Sequence, residues 1–203
     1  MGKDWQKKRK NDHFYKKAKK KGYRSRAAYK LRQLDKKYRI LKSGDTVIDL
    51  GAAPGGWLQV AREKVGENGF VLGVDLEEIE DLGYRNVSTI QCDITDPETV
   101  EIIEEKLYNP PDVILSDASP DISGVWDVDH ARSIDLARSV FSLAEKLLKP
   151  GGNILIKVFQ GEFFPEFLKD TGELFEFHKS SKPKASRNES AEIYIIGKGF
   201  KPN

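Results

Sequence analysis

Asp49-Leu50-Gly51-Ala52-Ala53-Pro54-Gly55-Gly56-Trp57 is the stretch that decides the fold of this 203-residue chain. A short apolar run, Thr46-Val47-Ile48, precedes it, and Leu58-Gln59-Val60-Ala61-Arg62-Glu63-Lys64 follows with helical spacing. A strand, a small-residue turn and a helix in that order form a nucleotide-binding element. The turn lets backbone approach a ligand closely, and the helix start offers unpaired N–H groups. Pro54 stiffens the loop, because its ring fixes φ.

The spacing is not the dinucleotide G-x-G-x-x-G. It reads acidic-x-Gly-x-Ala-x-Gly, a pattern suited to S-adenosylmethionine, with Gly51, Gly55 and Trp57 at the methionine end. The next strand, Gly69-Phe70-Val71-Leu72-Gly73-Val74, ends at Asp75, 24 residues after Gly51. A carboxylate in that place accepts hydrogen bonds from ribose hydroxyls. A third strand, Val87-Ser88-Thr89-Ile90-Gln91, ends at Cys92-Asp93, which sets Asp93 to meet an adenine amino group. Either aspartate alone is explained by a helix cap; two at strand ends point to a ligand.

From Gly44 onward strands and helices alternate. Strands are expected near 46–50, 69–74, 87–91, 112–116 and 152–158, and helices near 55–66, 96–107, 129–148 and 162–171. Segments 174–179 and 191–197 read as two further strands, a hairpin closing an otherwise parallel sheet. The expectation is a Rossmann-like α/β fold with a seven-stranded sheet and an antiparallel last strand. It comprises one domain over 23–203 behind a basic arm at 1–22.

Charge is segregated. Residues 1–42 hold 18 Lys or Arg against 3 Asp, while the remainder holds 16 against 29 acidic residues. A basic segment on an acidic body points to a polyanion, nucleic acid above all. Trp5, Phe14 and Tyr15 are interleaved in the arm, placed either to stack on bases or to dock the arm. Ser25 reads as the N-cap of a helix to about Leu41 with Ala28, Leu31, Leu34 and Tyr38 buried; Lys30 lies off that stripe.

Hydrophobic content of 38% with 33% charge describes a soluble protein. No apolar run reaches the roughly 18–20 residues of a membrane span, and no signal-peptide pattern opens the chain. The single cysteine, Cys92, forms no internal disulfide, so a cytoplasmic location is expected. Cys92 and three scattered histidines make no metal-ligand spacing, and no metal is assigned.

Strand four ends in Ser116-Asp117-Ala118-Ser119-Pro120, which puts Asp117 on the same rim as Gly51 and Asp75. Asp121, Ser123 and Trp126 follow in a loop suited to a substrate. Lys157 sits inside the apolar strand Asn153-Ile154-Leu155-Ile156-Lys157-Val158-Phe159, a costly place without partner or function. A plain salt bridge to Asp117 is the simpler account. Glu192 is likewise embedded in Ala191-Glu192-Ile193-Tyr194-Ile195-Ile196, where an edge-strand charge is the simpler account.

Five segments in one order carry a resemblance. They are Ser25-Arg26-Ala27-Ala28-Tyr29-Lys30-Leu31, the Asp49–Trp57 loop, Ser116-Asp117-x-x-Pro120, Ile156-Lys157-Val158-Phe159 and Ser186-Arg187-x-x-Ser190-x-Glu192-x-Tyr194. Over roughly 22–198 the chain resembles the FtsJ/RrmJ (RlmE) family of ribose 2′-O-methyltransferases. It departs at Ala118-Ser119-Pro120-Asp121, where that family often carries a methionine and an asparagine. The resemblance implies a Lys-Asp-Lys-Glu tetrad of Lys30, Asp117, Lys157 and Glu192, with Lys157 as general base, and S-adenosylmethionine as methyl donor. It implies, as acceptor, a uridine in 23S-type ribosomal RNA of the large subunit, and the chain is expected to act as a monomer. Two rivals stay open: a transfer RNA anticodon-loop methyltransferase, and a non-catalytic RNA-binding assembly factor. The basic stretch from Lys3 to Lys42 and the cluster Lys179, Lys182, Lys184 and Arg187 are the expected phosphate surface.

Overall fold

A computed structural model describes residues 12–202. Seven strands form one sheet: β1 (Thr46–Leu50), β2 (Phe70–Asp75), β3 (Val87–Gln91), β4 (Val113–Ser116), β5 (Asn153–Phe159), β6 (Phe175–Ser181) and β7 (Glu192–Phe200). Their order across the sheet is β3-β2-β1-β4-β5-β7-β6. β1 to β5 pair in parallel, and β7 runs antiparallel between β5 and β6. This is the Rossmann-like arrangement expected from the strand–helix alternation, with the last strand reversed. The chain reverses order between β1 and β4, so a crevice opens beyond their C-terminal ends.

Six helices complete the described fold: α1 (His13–Lys21), α2 (Ala28–Tyr38), α3 (Gly56–Val65), α4 (Thr99–Glu104), α5 (Trp126–Leu147) and α6 (Phe164–Leu174). Strands buried on both faces read as nearly continuous apolar runs, and β1, β4 and β5 do so apart from Asp49, Lys157 and a few uncharged polar residues. One face packs Ile48, Ile114, Ile154 and Ile156 against Ile134, Val140 and Phe141 of α5. The other packs Val47, Val113, Leu115 and Leu155 against Leu31 and Leu34 of α2 and Leu58 of α3. Successive strand residues alternate between faces, so Asp49, Lys157, Tyr194 and Glu192 fall on the α2 side. No helix among the described residues is long and apolar enough to cross a membrane.

Two local expectations change. α2 begins at Ala28 after an Ala27 cap with no side-chain bond, so Ser25 is not its N-cap. The Ser25 side chain packs instead against Gly56, where any Cβ would fall 2.2 Å from its Oγ. Part of the basic arm is helical: Asp12 caps α1 by accepting from the amides of Phe14 and Tyr15, and Gly22 ends it in the left-handed region. Ala18 and Phe14 of that helix pack on Tyr29 and Ala185. Docking is therefore what Phe14 does, with its ring 5.6 Å from that of Tyr29. Trp5 lies outside the described residues.

Candidate active site

A cleft of about 710 Å³ opens at the C-terminal ends of β1 to β4, lined by Gly51, Asp75, Asp93 and Asp117 among others. Gly51 has φ +77°, and a Cβ there would lie 2.6 Å from the Cβ of Ala118, so only glycine lets these two loops meet. Asp75 Oδ2 accepts from the Ala53 amide (2.8 Å) and Oδ1 from the Glu77 amide (2.9 Å). A carboxylate offers about four acceptor positions, so Asp75 fixes the glycine turn and keeps capacity facing the cleft. Asp93 uses only Oδ1, on the amide (2.8 Å) and hydroxyl (2.7 Å) of Thr95. Those two bonds hold its carboxyl below the usual range.

Gly55 and Trp57 do not line this cleft. Gly55, at φ +102°, is the left-handed cap that starts α3. Trp57 is buried behind the turn, its indole N–H donating to the Ala27 carbonyl (2.8 Å) and its ring 5.9 Å from that of Tyr194. Its side chain braces α2; only its backbone amide, at the start of α3, belongs to the turn. Arg24 ties the same loop down through the carbonyls of Pro54, Glu80 and Asp81.

Asp117, one residue beyond β4, joins the cleft to a network of buried charge. Its Oδ1 accepts from the Tyr194 hydroxyl (2.6 Å) and lies 3.5 Å from Lys157 Nζ and 3.6 Å from Lys30 Nζ. The two lysines differ. Lys30, reaching down from α2, pairs with Glu192 Oε2 at 2.8 Å. Lys157 donates instead to the neutral main-chain carbonyl of Asp117 (2.6 Å). Lys30, Lys157 and Glu192 are all at most 9% exposed. The structure thus brings together all four residues of the tetrad, drawn from one helix, one loop and two strands.

The electrostatics follow from this asymmetry. Burial pushes the Lys157 pKa down; Asp117 opposes it, Lys30 reinforces it, and the balance stays below the ordinary lysine value. Burial would raise Asp117, but the charges of Lys157 and Lys30, helped by the Tyr194 hydroxyl, hold it below the ordinary range. Tyr194 was quoted in the sequence motif without a role. Nothing in an apolar strand sets a tyrosine apart from its neighbours; only the β5–β7 register, which sets Lys157 opposite Tyr194, places its hydroxyl on Asp117.

Asp49 stands alone. It is fully buried, and neither oxygen has a hydrogen-bond partner. Burial, then the negative charges of Asp117 and Asp75, hold its carboxyl well above the usual range. Among the described residues no group of three or more His, Cys, Asp or Glu is placed to hold a metal ion. On the expected phosphate surface, Lys182 is bonded to the Ser190 and Asn188 carbonyls of its own loop. Arg187 lines a second, smaller cleft with Arg26, Lys30 and Glu192.

The family model for FtsJ-like methyltransferases matches residues 23–200. This chain belongs to that family. It is 52% identical over 198 residues to the ribosomal RNA large subunit methyltransferase E of Methanococcus maripaludis, covering 98% of this chain and 77% of that one. It is 51% identical over 201 residues to the protein of that name from Methanothermobacter thermautotrophicus, covering 99% and 95%. Among solved structures, a Plasmodium falciparum protein described as a ribosomal RNA methyltransferase superposes with a TM-score of 0.79 at 31% identity, over 89% of this chain and 100% of that one.

Proposed function

We propose that this chain uses S-adenosylmethionine to methylate the 2′-hydroxyl of a ribose, that of a uridine, in large-subunit ribosomal RNA. One observation carries the reading: the Lys30–Glu192 pair, Asp117 and Lys157 meet at the end of the carboxylate-lined cleft, with Asp117 common to both. The relatives named for ribosomal RNA methylation match nearly the whole chain and support the acceptor class.

The cleft suits this cofactor by its donors and acceptors. Asp75 has acceptor positions left for ribose hydroxyls, and Asp93 Oδ2 for an adenine amino group. Asp49 is a buried carboxyl without a hydrogen-bond partner behind the glycine turn, and the cationic amine of a methionine moiety there would favour its ionised form. Gly51 and the α3 amides of Gly56 and Trp57 would face the methionine carboxylate. S-adenosylmethionine supplies a methyl group on a sulfonium, an already activated leaving arrangement.

The chain's own residues do the rest. A ribose hydroxyl is a poor nucleophile and gains from losing its proton as it attacks. Lys157 takes that proton at Nζ, because burial favours its neutral form before reaction. The ammonium so formed lies beside Asp117, which stabilises it without moving. Lys30 and Glu192 hold Asp117 and the ribose in place, and alignment of the attacking oxygen contributes much of the acceleration. All these groups come from one chain, which supports action as a monomer. A cytoplasmic site of action is part of this reading, supported by the relatives named for ribosomal RNA methylation.

Purified protein is incubated with radiolabelled S-adenosylmethionine and either large ribosomal subunits or transfer RNA, and the product is digested in alkali. Alkali-resistant labelled dinucleotides from ribosomal RNA are the expected result, because a 2′-O-methyl blocks cleavage of the adjacent phosphodiester. Label confined to transfer RNA keeps the chemistry and replaces the acceptor. Cofactor binding with no label in either overturns the catalytic reading in favour of an RNA-binding role.

A further inference from the structure

Beside the tetrad stands a group of aromatic rings that the proposed chemistry does not use. His130 lies between Trp126 and Phe163, its ring 5.7 Å from the first at 10° and 5.5 Å from the second at 2°. Trp126 continues the series to Phe159, 6.3 Å away at 19°. Four rings from α5, β5 and the loop after β5 therefore stand nearly parallel. Trp126 is 47% exposed and Phe163 44%, whereas His130 is only 3% exposed. His130 is thus buried between two half-exposed rings.

Its parts are fixed in place. His130 Nε2 accepts from the Phe163 amide (3.1 Å), and a Cβ at Gly161 would fall 2.7 Å from the imidazole, so the loop presses directly on that ring. Asp129 accepts from the amides of Ser123 (2.7 Å) and Gly124 (3.1 Å), which sets the loop delivering Trp126. Ser133 Oγ accepts from the Phe159 amide (3.0 Å). Rings held this firmly lose little entropy when a flat ligand lands on them.

Position decides what lands there. Phe159 follows Lys157 by two residues, roughly 7 Å along the strand, and as the last residue of β5 it meets Trp126 at the strand's end. Phe159 is also the cross-strand partner of Glu192. The inner end of the column is thus two residues along β5 from Lys157 and directly across from Glu192. A ribose can present its 2′-hydroxyl to a recessed lysine only if its nucleotide leaves the stack of the RNA, and its base then needs a new surface. The charged neighbours of Trp126 on α5 are Asp127 and Asp129, which repel phosphate and leave a base as the part of RNA that fits. Arg187 lines a separate small cleft with Lys30 and Arg26, the latter paired with Asp12, and offers phosphates positive charge there.

We propose that the Phe159–Trp126–His130–Phe163 column seats the base of the acceptor nucleotide, an unstacked nucleobase whose ribose lies at Lys157. This rests on the RNA ribose-methylation reading. The test compares wild type, Trp126→Ala, Trp126→Phe and Phe163→Leu on large ribosomal subunits and on the same RNA stripped of protein. Methyl transfer is followed at varied RNA, and calorimetry with S-adenosylmethionine checks each variant's fold. Trp126→Ala is expected to lower kcat/KM for both RNA forms about 10- to 100-fold, with cofactor affinity unchanged. Trp126→Phe should recover most of that loss, and Phe163→Leu should show a smaller one. Trp126→Ala within twofold of wild type overturns the seat while leaving the methyltransferase intact. A loss on intact subunits but not on stripped RNA also overturns it, assigning the rings to a ribosomal protein. No transfer by wild type overturns both readings.

Discussion

At β2 and β3 the rim carboxylates Asp75 and Asp93 stand half-buried with acceptor capacity in reserve, each already anchored to backbone amides. Around Asp117, Lys30 of α2, Lys157 of β5 and Glu192 of β7 are buried and bonded to one another or to Asp117. The first region is built to receive something that arrives from solution, so its polar groups must be satisfied with and without a ligand. The second is built so that charge is already oriented when the reaction begins, and its partners are therefore internal. Burying two lysines and a carboxylate costs stability. That cost identifies where chemistry, rather than binding, is done.

This contrast predicts how the halves fail. Lys157→Ala should lower the single-turnover rate about 10²- to 10⁴-fold, with calorimetric affinity for S-adenosylmethionine unchanged; parallel loss of both would merge the two regions. Asp75→Ala should do the reverse, weakening cofactor affinity about 10- to 100-fold while the rate at saturation stays within a few-fold. Tyr194→Phe removes one hydrogen bond from Asp117 and should slow turnover about tenfold. It also concentrates negative charge beside Lys157, so the rising limb of the pH–rate profile should move to higher pH.

The smallest effect is on stability. Asp49 holds its proton in the folded state well above the pH at which an unfolded aspartate releases it. Its favourable contribution is therefore complete at low pH and is lost as pH rises through the folded value. Asp49→Asn carries no such dependence. Melting curves should show the variant gaining on wild type as pH rises, by about 2–4 °C for each 1 kcal/mol. A constant difference from pH 4 to 9 would remove Asp49 from this account.

Much of this contrast was legible in the sequence, and for physical reasons. Strands buried on both faces must be apolar throughout, so Lys157 and Glu192 stand out as charges that need an explanation. Asp75 and Asp93 stand out because each lies at the C-terminal end of a strand. Lys30 is harder to see, since α2 carries four other charged residues and only its buried side distinguishes this lysine. Tyr194 gives no local signal, since a tyrosine suits any strand, and the sequence marks Trp126 only as part of a loop suited to a substrate, not as one of a stack of rings. Their partners, Asp117 and Phe159, are brought to them by sheet register and by the crossover into β5. Trp57 misleads for a related reason, because its place in the turn motif says nothing about which way its ring points.

The most direct test is the pH dependence of single-turnover methyl transfer to ribosomal RNA, with saturating S-adenosylmethionine, in wild type and Lys157→Ala. The account predicts a rate that rises with pH and levels off below the ordinary lysine value of 10.5, and a far slower variant without that limb. The same limb in both proteins would mean that another group takes the proton, and would contradict the assignment of Lys157.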